Sequence, residues 1–234
     1  MSIALLGSFT LARDGIEVQT LTSGSQKLLA YLALHRRSHA RSHIAATLWP
    51  DASDEHSAES LRSALARLEV PRDELILADA SGLRLIDSVK VDFTRAGAIA
   101  AHLLSPEPKT PTQELSPETV ALFAEDLLPD WLDEWVTAET DDWRQLRMSA
   151  LEALAARLVE ANRLREAGVA ARAAIRVDPL RESAQQALVK IYLAKGNQSD
   201  AMRAVAQYSR LLKEELGISP TADLLSLVSG LQHA

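Results

Sequence analysis

The stretch SDEHSAESLRSALARLE, Ser53 to Glu69, decides how the N-terminal part of this chain is read. Ser53 and Asp54 are both suited to cap a helix start, and Asp54 and Glu55 fall where the positive end of a helix favours acids. Ala58, Leu61, Ala64, Leu65 and Leu68 recur at helical spacing and form one apolar stripe. The opposite side carries His56, Glu59, Ser60, Arg62, Ser63, Ala66 and Arg67. Such a face either lies solvated on a small core or reads another surface. Arginine's flat fork suits phosphate oxygens or the O6 and N7 of guanine, and serine hydroxyls donate hydrogen bonds. Glu59 opposes phosphate approach.

Upstream, Ser23 to Leu34 reads as a helix with Leu28, Leu29, Leu32 and Ala33 on one face. A basic interval, HRRSHARSH, follows. Ile44, Ala45 and Leu48 then mark a short helix that stops before Pro50. At the start of the chain, Ile3 to Leu11 reads as one strand, Arg13-Asp14-Gly15 as a turn and IEVQ from Ile16 as a returning strand. Downstream, the apolar stretches LILA and LRLI flank Asp79-Ala80-Ser81-Gly82, the form of a hairpin. Strands, three helices and a hairpin make the order of a winged helix-turn-helix, expected over residues 1–90.

The remainder, residues 91–234, reads as all-α. Asp92 to Leu104 is amphipathic, and SPEPKTPTQELSP, Ser105 to Pro117, is an exposed connection because its prolines remove helix donors. Helices are expected over Trp143 to Glu160, Leu164 to Val177, Arg181 to Lys195 and Asp200 to Leu216. The first members of these pairs start 38 residues apart and the second members 36. That period is near the 34-residue tetratricopeptide repeat, whose hairpins bury their faces by stacking. The fold class expected is α+β: an N-terminal winged helix-turn-helix, then a tetratricopeptide-like helical domain.

Charge is distributed unevenly along the 234 residues. The net of −7 splits into −1 over residues 1–99 and −6 beyond, so the candidate reader is nearly neutral. Cysteine is absent, which excludes a thiolate metal site and a cysteine nucleophile together. The opening MSIALLGSFTLARDG has no basic region before its apolar stretch and no apolar run reaches membrane length, so a soluble cytoplasmic protein is expected. His35, His39 and His43 are four apart, but the basic interval interrupts any helix that would align them as ligands, and no metal is expected. Trp131, Trp135 and Trp143 read as helix packing in the second domain. The acidic set from Glu125 to Asp142 reads as a solvated face or a partner surface. No nucleophile triad, phosphate loop or metal spacing is present. Neither an enzyme nor a cofactor is expected.

Several motifs together resemble the SARP family, the antibiotic regulatory proteins of actinobacteria and their relatives. In the first domain these are LLGSFTL from Leu5, Lys27 with LLAYLAL, IAATLWP from Ile44 and ESLRSALARL from Glu59. In the second they are LLPDWLDEWV from Leu127, LRMSALEALAARL from Leu146, DPLRESAQQAL from Asp178, YLAKGNQSDAM from Tyr192 and RLLKEELGISP from Arg210. The resemblance implies an OmpR-like winged helix-turn-helix joined to a bacterial transcriptional activation domain. It also implies binding to repeats in double-stranded promoter DNA, contact with RNA polymerase, and action as a homodimer or as tandem monomers. Carried onto this chain, the reading helix is Ser57 to Leu68, with Arg62 and Arg67 as its arginines and Ser60 where many relatives have asparagine. Two departures stand out: Glu69 occupies a position that relatives often fill with a base, and the wing offers only Arg84.

The residues expected to touch DNA are Ser60, Arg62, Ser63 and Arg67 on the third helix and Arg84 on the wing. Lys27, Arg41 and Ser42 lie near helix starts that can hold a phosphate. The competing reading is a protein-interaction adaptor that keeps the fold but has little DNA affinity.

Overall fold

The computed structural model describes residues 1–105 and 112–230. The proline-rich connection expected from Ser105 to Pro117 therefore lies in part, over 106–111, outside the described residues. The chain divides into two compact units, Met1–Ala98 with Asp126–Asp141 and Ile99–Glu125 with Asp142–Ala234. The first unit thus takes up a segment that lies well beyond residue 90.

In the first unit, β1 (Ser2–Ala4) and β2 (Thr10–Arg13) stand where one strand was expected. The chain reverses at Gly7, whose φ of 80° is costly for any residue with a Cβ. The reversal brings Ile3 opposite Leu11, and both are buried. β3 (Ile16–Glu17) pairs with β2 on one side, and β6 (Lys90–Val91) runs parallel to β1 on the other. The sheet order is β3-β2-β1-β6. Asp92 closes the corner after β1: its carboxylate accepts from the backbone of Leu5, Leu6 and Phe93 at 2.9, 3.1 and 2.7 Å.

Residues 126–128 return to this same unit. Leu128 donates its N–H to the Leu5 carbonyl at 3.0 Å, Gly7 donates to Asp126 at 2.7 Å, and Leu6 pairs with Leu127. This long-range pairing draws Trp131 against Phe9 (ring centroids 5.9 Å apart) and Trp135 against Tyr31 (5.7 Å). Of the three tryptophans expected in the second domain, only Trp143 packs there, stacked 5.8 Å from Phe123.

Three helices follow β3. α1 (Ser23–Leu34) is capped by Thr22, α2 (Arg41–Leu48) ends before Pro50, and α3 (Asp54–Ala66) is capped by Ser53. α3 is shorter at its end than the stretch Ser57 to Leu68: Arg67 stands at its C-cap, and Leu68 is buried just beyond. The buried Ser25 hydroxyl lies 2.9 Å from the Ala64 carbonyl and 3.1 Å from that of Arg67. It thereby serves carbonyls that the end of α3 would otherwise leave without a donor.

β4 (Ile76–Asp79) and β5 (Gly82–Leu85) form the expected hairpin. Asp79 accepts from the N–H groups of Ser81 and Gly82, at 2.7 and 3.2 Å, and these bonds with the Ser81 hydroxyl hold its carboxyl below the usual range. The hairpin is seated on the loop between α1 and α2. His39 and Leu83 exchange backbone hydrogen bonds of 3.0 and 2.9 Å. Gly82, at φ 139°, lies so close that a Cβ there would come within 1.8 Å of the His39 carbonyl oxygen. Only glycine fits.

The second unit contains the latter part of α4 (Asp92–Leu104), α5 (Pro117–Ala124), α6 (Glu134–Glu160) from Asp142 onward, α7 (Leu164–Val177), α8 (Glu182–Ala194), α9 (Gln198–Glu215) and α10 (Ala222–Ser229). The pairs α6–α7 and α8–α9 stand where two helix pairs were expected, but α6 begins at Glu134 rather than Trp143, so the first members start 48 residues apart and the second members 34. Small residues of α7 (Ala167, Gly168, Ala170, Ala171, Ala174) are buried and permit close helix packing. The α10 helix was not anticipated. Gly217, at φ 71°, ends α9, and Thr221 caps α10 while its hydroxyl and N–H both bond to Glu182. ELGISP is therefore a built corner between two helices. Tyr208, Leu212, Leu224 and Val228 bury its inner side.

Candidate nucleic-acid interface

The apolar stripe of α3 is buried as its spacing requires: Leu61, Ala64 and Leu65 are inside, while Glu59, Arg62 and Arg67 are exposed and Ser60 and Ser63 half-buried. Arg41 and Ser42 are exposed in the first turn of α2. The crossing of α2 and α3 brings Arg41, Ser42 and Arg62 around one shallow depression of about 280 Å³, based on Ala58, Leu61 and Leu65. Among the described residues, the side chains of Arg41, Arg62 and Arg67 enter no ion pair. Three guanidiniums and a hydroxyl thus stand free on the α2–α3 side of the unit, with five N–H donors on each fork.

The other expected contacts are differently placed. Lys27, on α1, is paired with Asp133. Arg84 does not reach the tip of the hairpin; its guanidinium turns back to Asp87 at 3.0 Å and to the Leu85 carbonyl at 3.4 Å. The tip itself is Asp79-Ala80-Ser81, with one negative side chain. Within the basic interval, Arg36 donates to the carbonyls of Ile86 and Val89, at 3.4 and 3.5 Å, and so ties the loop to the chain after β5. Arg37 is exposed.

The histidines of that interval meet despite the break between α1 and α2. His39 stacks on His43 with centroids 5.8 Å apart, His35 lies tilted against His39 at 5.5 Å, and Tyr31 lies 4.5 Å from His35 and 5.4 Å from His39. The Tyr31 hydroxyl is 3.3 Å from His39 Nδ1. Burial, then the charge of Arg37 and the neighbouring imidazole of His43, hold His35 below its usual pKa. Burial also leads for His39, followed by His35, Arg37 and His43. Glu139 Oε1, 3.9 Å from His35 Nδ1, pulls the other way but is too distant for a hydrogen bond, and burial prevails. Among the described residues no group of His, Asp or Glu is arranged to hold a metal ion. The stack is an aromatic packing unit that sequence spacing pointed to for another reason. The Lys27–Asp133 pair had no local signal, because its members are 106 positions apart.

Comparison with known proteins supplies the context for this geometry. The profile of the bacterial transcriptional activator domain matches residues 91–232, more than half of the chain. The chain belongs to that family. Members of the bacterial transcriptional activator domain family are transcription regulators, and the chain is not an enzyme. The match takes in α4 to α10, including the helical pairs and the ELGISP corner. A search of curated proteins finds no match. Among solved structures, Mycobacterium tuberculosis EmbR in complex with a low-affinity phosphopeptide has a similar fold, with a TM-score of 0.63 and 21% identity. The similarity covers 99% of this chain and 64% of that one, so this chain spans less than two thirds of the EmbR chain. Among the described residues no helix is long and apolar enough to cross a membrane.

Proposed function

We propose that this chain is a sequence-specific DNA-binding transcriptional activator of SARP type. Its first unit would act as a winged helix-turn-helix on double-stranded promoter DNA. Its tetratricopeptide-like helices would engage RNA polymerase or another regulator subunit. The observation that carries the reading is the meeting of Arg41, Ser42 and Arg62 around one depression at the α2–α3 crossing, with no ion pair among the described residues, in a member of the bacterial transcriptional activator domain family.

The roles divide as follows. Arg62 and Ser63 on α3 face the groove edge with Ser60, and Arg67 at the helix end reaches the flanking backbone. Arg41 and Ser42, at the N-terminus of α2, hold a phosphate where the helix dipole favours an anion. Arg84 and Lys27 contribute little, since each already has an acidic partner. Binding needs no chemical step and no cofactor. With few cations and Glu59 beside them, a single copy binds modestly, and paired copies on repeated half-sites supply the rest of the affinity. Such action belongs in the cytoplasm.

The test is footprinting of the full chain on genomic DNA fragments at low salt. The native chain is expected to protect discrete sites, and Arg62→Ala with Arg67→Ala to abolish protection at the same concentration. Absence of any footprint, or a footprint indifferent to the double substitution, would overturn the reading. The adaptor alternative draws on the pairing of Lys27 and Arg84, and protection by the native chain excludes it.

A further inference from the structure

A second surface of the first unit is unused by the DNA reading. The end of α2 with its following turn, Ala46–Ala52, and the start of α6 with the residues before it, Leu132–Ala138, border a groove of about 880 Å³. Ala46, Trp49, Pro50, Leu132, Trp135 and Ala138 give it an apolar lining. Leu132 is 94% exposed and so contributes almost nothing to the core. The Lys27–Asp133 pair joins α1 to the 132–138 segment and holds this side of the groove in place. A preformed apolar channel with a bare leucine at its edge marks an interaction site rather than ordinary surface.

Charge selects the occupant. Asp51, Asp133 and Glu134 line the groove. Lys27 is the only cation in the lining and is already paired. That field repels nucleic acid and attracts a cationic segment. A second copy of this chain is a poor fit. None of the described helices carries more than one large exposed apolar side chain, so none offers a free amphipathic face. We propose that this groove docks a basic amphipathic helix of a protein partner, with the partner's apolar face on Trp49, Trp135 and Leu132 and its cations over Asp51 and Glu134. Helix-in-groove recognition reads anchors spaced i, i+3, i+4 and i+7, and two flanking tryptophans suit such anchors.

The test uses the full chain and a synthetic peptide of about 18 residues, roughly five helical turns, with leucines on one face and lysines on the other. Two controls share its length: one of the same composition with the leucines scattered, and one with glutamate for lysine. Binding is read by calorimetry and by tryptophan emission, since Trp49 and Trp135 border the groove. The amphipathic cationic peptide is expected to bind at least about tenfold more tightly than either control. Ala138→Arg, which fills the groove from an exposed helix position, should weaken it about tenfold, and Leu132→Ser, at a side chain outside the core, about threefold. Both variants should keep any DNA footprint of the native chain, so the two readings fail separately. Equal binding of the scattered peptide would reduce the effect to net charge and overturn the proposal. So would equal binding of the acidic peptide, indifference to both substitutions, or self-association of the chain that Ala138→Arg abolishes.

Discussion

Among the described residues the guanidiniums of Arg41 and Arg62 at the α2–α3 crossing, and of Arg67 at the end of α3, have no acidic partner, whereas on the hairpin Arg84 is folded back onto Asp87. The two regions carry the same kind of side chain in different situations. A guanidinium already bonded to a carboxylate must give that bond up before it meets a phosphate, so its net gain is small. The free ones pay no such exchange. The hairpin is pinned to the α1–α2 loop through His39 and Leu83; under the proposed function it would act chiefly as scaffold and the α2–α3 face as the binding surface. The second unit repeats the lesson. There Arg181 forks onto Glu152 with bonds of 2.7 and 3.1 Å, while Ser183 donates to the same carboxylate at 2.6 Å, and the cation serves the fold.

The strongest way to break this contrast is at Gly82. Gly82→Ala drives a Cβ into the His39 carbonyl and forces an unfavourable φ, so the hairpin must leave its seat. The expected loss is about 3 kcal/mol, read as a lower urea midpoint. An unchanged midpoint would mean that the hairpin is not held as described. Next comes Arg62→Ala with Arg67→Ala, expected to leave the midpoint unaltered and to weaken operator binding about 100-fold. Arg181→Ala should cost about 1 kcal/mol of stability, discounted because the pair is partly exposed, and should not touch DNA affinity.

The histidine stack gives a pH dependence whose sign follows from burial. His35 and His39 have lowered pKa values in the folded chain, so at mildly acid pH the unfolded chain binds protons that the folded one does not. Stability should decline as pH falls from about 6.5 and level off below the folded values. Urea midpoints at pH 7.5 and 5.5 measure this, and His35→Gln with His39→Gln should flatten the difference. Arg84→Ala is the smallest effect: less than about threefold on DNA binding, because Asp87 already offsets its charge.

Much of the architecture was legible because it is encoded locally. The helix Ser23–Leu34, the cap at Ser53 and the hairpin around Asp79 to Gly82 follow from periodicity and turn chemistry over a few residues, whereas the cap at Thr22 was not read. The second-domain pairs were located by their apolar periodicity, although α6 extends back to Glu134, nine residues before the expected Trp143. What the chain's local pattern does not contain is the pairing of Leu6 with Leu127, more than a hundred positions away, which carries Trp131 and Trp135 into the first unit. The break at Gly7 was obscured because the apolar run on both sides suits a single strand as well as two. At the candidate site, the exposed set of α3 was readable from its 3.6-residue period. The availability of each cation was not. Whether Lys27 or Arg84 is free depends on Asp133 and Asp87, and a one-dimensional charge count treats all of these as equivalent.

The measurement that bears most directly on the account is the salt dependence of binding to a footprinted site, for the native chain, Arg62→Ala and Arg84→Ala. The slope of log affinity against log salt reports the number of phosphates neutralised, at about 0.9 per contact. The account predicts that removing Arg62, which faces the groove edge, lowers affinity with little change of slope, while removing Arg84 leaves both nearly unchanged. A normal affinity and slope without Arg62, together with a loss in both without Arg84, would place the binding surface on the hairpin and contradict it.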